Sequence, residues 1–251
     1  MDTELFALAI RAASELAAAG GIGTLSEYRL HAALKYYVQP DPEMHEIKRC
    51  GFFCDAVSSD GSGVYEIQTG SFERLRRKLE KLLGYGTVTV VYPIVKEKKL
   101  ITSNPETGEV SERKSPKKKD IYSVFDELYK IRSFIPDPNF RLRLISVGAS
   151  EVRIPNSEPP KKRCRRRPKA YQKAELIPTE LFGDVTLGCL SDYKMFIPET
   201  LPEVFFSADL AKAANITQSL ANKVLYTLNN LNVIERLGRS RDGYLYSLKK
   251  T

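Results

Sequence analysis

Phe53-Cys54-Asp55-Ala56-Val57, followed after a Ser/Gly-rich turn by Val64-Tyr65-Glu66-Ile67-Gln68-Thr69, is the stretch on which the reading of this chain depends. Both runs are apolar and of strand length, and both carry charged groups that a plain core strand would not. Side chains alternate faces along a strand. Glu66 and Gln68 therefore project to one side while Tyr65, Ile67 and Thr69 project to the other. If residues 58–63 turn the chain into a hairpin, Asp55 is expected on the side of Glu66 and Gln68. Two converging carboxylates repel each other unless a cation lies between them, and hard oxygen ligands suit Mg²⁺ (or Mn²⁺). The expectation is a divalent-metal site able to cleave phosphodiesters.

Working outward, Leu25, Tyr28, Leu30, Ala33, Leu34 and Tyr37 approximate helical spacing over 24–38, and Pro40 and Pro42 end that helix. Strands are expected over 46–50, 52–58 and 64–69. Ser71 offers an N-cap for a helix through Leu83, with Phe72, Leu75, Leu79, Leu82 and Leu83 buried and Arg74, Arg76, Arg77, Lys78 and Lys81 on a solvated face that could also track a phosphate backbone. Gly84 and Gly86 stop it. Residues 87–92 form a β-branched run suited to a strand covered on both faces. Runs at 99–102 and 110–113 flank a turn, Asp120 caps a helix carrying Val124, Phe125, Leu128 and Ile131, and a last strand covers 140–147. This mixed α/β core is complete by about residue 154. The apolar N-terminal run Leu5-Phe6-Ala7-Leu8-Ala9-Ile10 is broken by Glu4, Arg11 and Glu15, as in an amphipathic helix rather than a signal peptide.

The order helix, three strands, helix, strand, with Asp55, then Glu66 two before Gln68, resembles the PD-(D/E)XK nuclease superfamily. The resemblance implies a restriction-endonuclease-like αβββαβ core with a mixed central sheet. It also implies catalytic roles for Asp55, Glu66 and Gln68 (the last where lysine is usual), with a helix glutamate at Glu27. The metal would be held by Asp55, Glu66 and the main-chain carbonyl of Ile67. His31, one turn beyond Glu27, is a candidate to orient it or to approach phosphate. Lys35 reads as a solvated charge that could contact substrate. Leu30–Lys35 together with Glu66–Thr69 is similar to an uncharacterised bacterial family of such nucleases with a C-terminal winged helix.

The chain has 251 residues and a net charge of +8. Eight of its cations, from Lys161 to Lys173, lie in one stretch without an acid, so the rest of the chain is balanced. Residues 155–173 therefore read as a basic Pro/Lys/Arg-rich linker between a nuclease-like domain at 1–154 and a winged helix-turn-helix domain at 174–251. In the latter, Ser207 is expected to cap a first helix. Thr217 caps a recognition helix to Asn230, and a hairpin closes around 238–243.

Candidate DNA contacts are Lys114, Lys117, Lys118 and Lys119 beside the core, and Lys161, Lys162, Arg163, Arg165, Arg166 and Arg167 in the linker. In the C-terminal module they are Gln218, Ser219, Asn222 and Lys223 on the recognition helix and Arg239 and Arg241 at the wing. The expected protein is a metal-dependent DNA endonuclease, with a non-catalytic DNA-binding protein as the alternative. Double-strand cutting by one site per chain favours a homodimer, and winged helices also take protein partners. No run approaches the ~18 apolar residues of a membrane helix. The four cysteines (Cys50, Cys54, Cys164 and Cys189) lack paired metal-ligand spacing. Reduced thiols and a cytoplasmic protein are therefore expected, nucleoid-associated if the source is bacterial.

Overall fold

A computed structural model describes residues 1–19, 29–104, 108–117, 119–156, 171–241 and 243–249. It is a mixed α/β protein. Its contacts divide it into two units: 1–43, 95–119 and 145–184 form the first, and 44–94, 120–144 and 185–251 the second. No helix among the described residues is long and apolar enough to cross a membrane.

The second unit opens with a meander of β1 (His45–Arg49), β2 (Phe52–Val57) and β3 (Gly63–Ile67). Both pairings are antiparallel. The hairpin turn holds itself together: Asp60 accepts from the hydroxyls of Ser58 (2.6 Å) and Ser62 (2.7 Å), while Gly61 takes a φ of 72° that side chains disfavour. Ser71 caps the next helix by accepting from the Glu73 N–H. A 3-10 turn Phe72–Leu75 then leads into α3 (Arg76–Leu82). Phe72, Leu75, Leu79 and Leu82 are all buried as the apolar spacing requires, each burial being worth roughly 1.5–3 kcal/mol. The helix ends at Leu82, and the turn after it passes through Gly86, where a Cβ would collide with the Ser62 backbone carbonyl. The chain then returns in β4 (Thr87–Ser103), parallel to β3 from Gly63↔Thr87 to Ile67↔Val91.

Strand β4 joins two runs that the sequence separates. Pro93, which cannot donate to a ladder, falls just beyond Val91, the last residue paired with β3, so no β3 partner is lost. Seven strands form one sheet in the order β1-β2-β3-β4-β6-β7, with β5 (Val110–Lys114) paired to β4; β6 is Phe140–Pro155 and β7 is Tyr171–Leu187. Strand β7 corrects the expected boundaries. The linker was expected to run through residue 173 and the C-terminal module to begin at 174, yet 171–187 is sheet. Its alternation of polar and apolar residues is that of a half-covered strand. Of the expected linker, 157–170 lie outside the described residues.

The remainder of the second unit comprises α4 (Phe125–Leu128) between 3-10 turns, a 3-10 turn at Leu190–Phe196, β8 (Val204–Phe206), α5 (Ser207–Ala213), α6 (Gln218–Asn230), β9 (Ile234–Ser240) and β10 (Gly243–Leu248). A three-stranded sheet runs β8-β10-β9, antiparallel throughout. Thr217 caps α6 as expected, accepting from Leu220. Ser207 does not cap α5; Phe206 holds that place and donates its N–H to Asp209 at 2.8 Å. Ala221, Val224, Leu225 and Leu228 of α6 lie in one continuous core with Phe125, Leu128, Phe140, Tyr193 and Phe196.

The first unit contains α1 (Thr3–Ala19) and α2 (Arg29–Val38), packed through small residues (Ala9, Ala13, Ala32 and Ala33 are buried) with Phe6 edge-on to Tyr37 at 5.3 Å. Tyr37 donates to Asp184 at 2.8 Å, and Arg29 pairs with Glu175. These contacts hold α2 to β7.

Candidate active site

Asp55 and Glu66 come together around the Glu66–Ile67 segment of β3. The ladder pairs Ala56 with Tyr65 and Val57 with Val64, so Asp55 and Glu66 are next in line on their strands. The Asp55 carboxylate accepts the Ile67 N–H at 2.6 Å. Glu66 is only 1% exposed, and its Oε2 accepts from Lys78 Nζ at 2.7 Å. Its Oε1 is sealed from solvent without a conventional hydrogen-bond partner.

Burial first, and then the nearby Asp55 charge, push the Glu66 carboxyl up to about 7 against the pull of Lys78. A carboxyl poised near neutrality by desolvation and a second acid is a recurrent property of reacting groups. The Cys54 thiol lies beside Glu66 and is pushed up to about 12, by burial and then by the Glu66 charge, so it stays protonated.

Lys78 was missed by the sequence reading, which placed it on a solvated face of the helix. It follows Arg77 and precedes the buried Leu79, at the edge of the apolar stripe. A lysine there can lay its stem along the core and turn its amine inward. The only sequence signal is its place on the helix that connects the acid-bearing strand to the next parallel strand. Arg76 is also engaged, donating to the Lys130 carbonyl at 2.8 Å.

Gln68 is half-buried just past β3, its N–H donating to the Val91 carbonyl at 2.8 Å. Ile67 is buried and shows its N–H to Asp55. Glu27 lies outside the described residues. His31 is half-buried on α2 in the first unit, and Lys35 is 6% exposed there. A solvated Lys35 is therefore overturned: its position beside Leu34 puts it within the buried face of the helix. Among the described residues no group of three or more His, Cys, Asp or Glu is placed to hold a metal ion.

Of the candidate DNA contacts, Lys114, Lys117 and Lys119 are exposed, while Lys118 and the six from Lys161 to Arg167 lie outside the described residues. Gln218, Ser219 and Asn222 are exposed at the start of α6, with Gln218 donating to the Ser207 hydroxyl. Lys223 pairs with Asp126 at 2.7 Å and lies over the Tyr129 ring. Arg239 and Arg241 are exposed on the β9–β10 hairpin, Arg239 stacking with Arg236 on Tyr244.

A family model described as a domain of unknown function (DUF8091) matches residues 28–188. The chain is 29% identical over 202 residues to an uncharacterised protein of Treponema pallidum (strain Nichols), which covers 76% of this chain and 74% of the relative. No solved structure matches.

Proposed function

We propose that this chain, which belongs to the DUF8091 family, is a metal-dependent DNA endonuclease whose hydrolytic site is built on Asp55, Glu66 and Lys78. The observation that carries this is the convergence of two carboxyls and an ammonium on one buried segment of β3, with Glu66 Oε1 offered nothing stronger than the weakly donating Cys54 thiol beside it. A buried carboxylate oxygen without a strong partner costs of the order of 1–3 kcal/mol, and a cation would remove that cost.

The donor set fits Mg²⁺ or Mn²⁺, with Asp55, Glu66 and the Ile67 carbonyl as ligands. When bound, such an ion lowers the pKa of a coordinated water and offsets charge on a phosphate. Lys78 brings to this segment the positive charge that Gln68 cannot provide. Asp55, anchored on the Ile67 N–H, fixes the strand that presents Glu66.

The order α2-β1-β2-β3-α3-β4, antiparallel twice and then parallel, fits the αβββαβ order expected of such a nuclease and supports the reading. For DNA as substrate the support is the β8-α5-α6-β9-β10 order with sheet β8-β10-β9, which fits a winged helix, and the exposed cations at Lys114, Lys117, Lys119, Arg239 and Arg241. The test is cleavage of a panel of labelled linear, nicked and branched DNAs with and without Mg²⁺. Asp55→Ala, Glu66→Ala and Lys78→Met should lose cleavage while keeping DNA affinity.

A second reading, a DNA-binding protein without catalysis, is favoured by the near-complete burial of Glu66 against Lys78. Binding by the wild type with no cleavage of any substrate would establish it.

A further inference from the structure

We propose that the first unit carries a separate binding cleft for phosphate oxygens, rimmed by lysines of β4 and β5 and walled by β6 and β7. The cleft has a volume of about 460 Å³ and is lined by Lys96, Lys98, Lys99, Lys114, Ser115 and Thr179, among others. Glu97 and Glu180 also reach it, and Lys98 is held by Glu151, so three lysines face two acids in the cleft. That volume lies within the usual range of small-ligand sites.

Two independent features point to an anion. Lys99 and Lys114 are directly opposite each other in the antiparallel β4–β5 ladder, where side chains are only ~5 Å apart and like charges are destabilising. A chain that keeps such a pair at the lip of a cavity gains from a polyanion placed between them. Behind the lip, Glu151 is buried and shared by Lys98 at 2.7 Å and Arg153 at 2.6 Å, and Arg153 stacks on Tyr171 at 3.8 Å. Burial pushes the Glu151 carboxyl up, but the hydrogen bonds from Lys98 and Arg153 outweigh it and hold the group below the usual carboxylate range. One ionised acid thus fixes two cations and leaves net positive charge behind the cleft. Lys173 registers it: desolvation lowers its amine, Glu151 pulls the other way, and repulsion from Lys98, Lys119 and Arg153 lowers it further.

A multiply charged phosphate suits this site, since several lysines act as point charges on its oxygens. Its source is a free polyphosphate or a nucleic-acid backbone. The site does not depend on the hydrolase reading.

The experiment titrates full-length protein with sodium tripolyphosphate and, separately, with a short DNA duplex, following heat of binding and melting temperature. Wild type and Asp55→Ala should respond alike. Lys99→Ala/Lys114→Ala should weaken tripolyphosphate binding tenfold or more if the ligand is a free polyphosphate. If the backbone is the source, the duplex alone responds, and its log–log salt slope falls by about 2 in the double variant. Lys99→Glu, which replaces the repulsive pair with an attractive one, should melt at or above the wild-type temperature and still weaken the responding probe at least as much as the double variant does. Less than a twofold change for both probes in both variants, with melting intact, would overturn the proposal.

Discussion

Replacing Glu66 by glutamine should stabilise the protein at alkaline pH while abolishing any activity the site has. In the folded state the Glu66 carboxyl is raised from 4.5 to about 7, so the native state binds its proton more tightly than the unfolded chain. Its stability contribution is fully present below pH 4.5 and is lost as pH rises through 7. At ~1.4 kcal/mol per pH unit the loss is about 3 kcal/mol for this group alone.

Glutamine keeps the shape and carries no charge to desolvate. Its cost is the ion pair with Lys78, whose side chain is 19% exposed and can turn its amine to water. The net gain at pH 8.5 is then about 1–3 kcal/mol, and near pH 4.5 the two proteins should agree within ~0.5 kcal/mol. At ~2–4 °C per kcal/mol for a chain of this size, the melting temperature of Glu66→Gln should exceed the wild type's by several degrees at pH 8.5. Calorimetric scans of both proteins from pH 4.5 to 8.5 measure this directly. A difference that does not grow with pH, or a less stable variant at pH 8.5, would mean that the Lys78 pair is an ordinary structural bridge and refute the idea of a strained, functional carboxyl.

Gly86→Ala should destabilise by about 1–3 kcal/mol in urea denaturation, because the new methyl meets the rigid Ser62 carbonyl. Gly70→Ala, with open space at its Cβ, serves as the neutral control, and equal behaviour of the two would negate the argument. Mg²⁺ at ten times its dissociation constant should stabilise the wild type by ~1.4 kcal/mol, seen as a rise in melting temperature that Asp55→Ala lacks; an equal rise in both would place the ion elsewhere. Asp126→Asn frees Lys223 from a surface pair worth ~0.2–1 kcal/mol. If α6 reads DNA, anisotropy titrations should show affinity rising by about twofold or more, whereas unchanged or weaker binding would remove Lys223 from the interface.

Local chemistry made the hairpin at 58–63, the Ser71 and Thr217 caps and the apolar stripe from Phe72 to Leu82 legible in the sequence. Each is decided by residues a few positions apart. The pairing of Asp55 with Glu66 was also legible, because strand alternation and a short turn constrain it. What escaped depends on partners distant along the chain. Nothing local distinguishes Lys78, which reaches a buried acid, from the solvated cations around it, and nothing marks Lys35 as buried. Strand β7 escaped for a different reason: the Lys/Arg-rich run before it looks like a boundary, while its own Lys173, Glu175, Thr179 and Glu180 dilute the apolar signal. The long strand β4 reads in the sequence as two runs, 87–92 and 99–102, because Pro93 and the charged residues 96–99 interrupt the apolar β-branched pattern.

The shared core under α6 has a practical consequence. Truncating the chain after β7 would strip Phe125, Leu128 and Phe140 of the cover supplied by Val224, Leu225 and Leu228, and the fragment left behind would be expected to aggregate rather than persist as a shortened protein. Assigning roles to the C-terminal segment therefore calls for single substitutions on its outer surface, not for deletion.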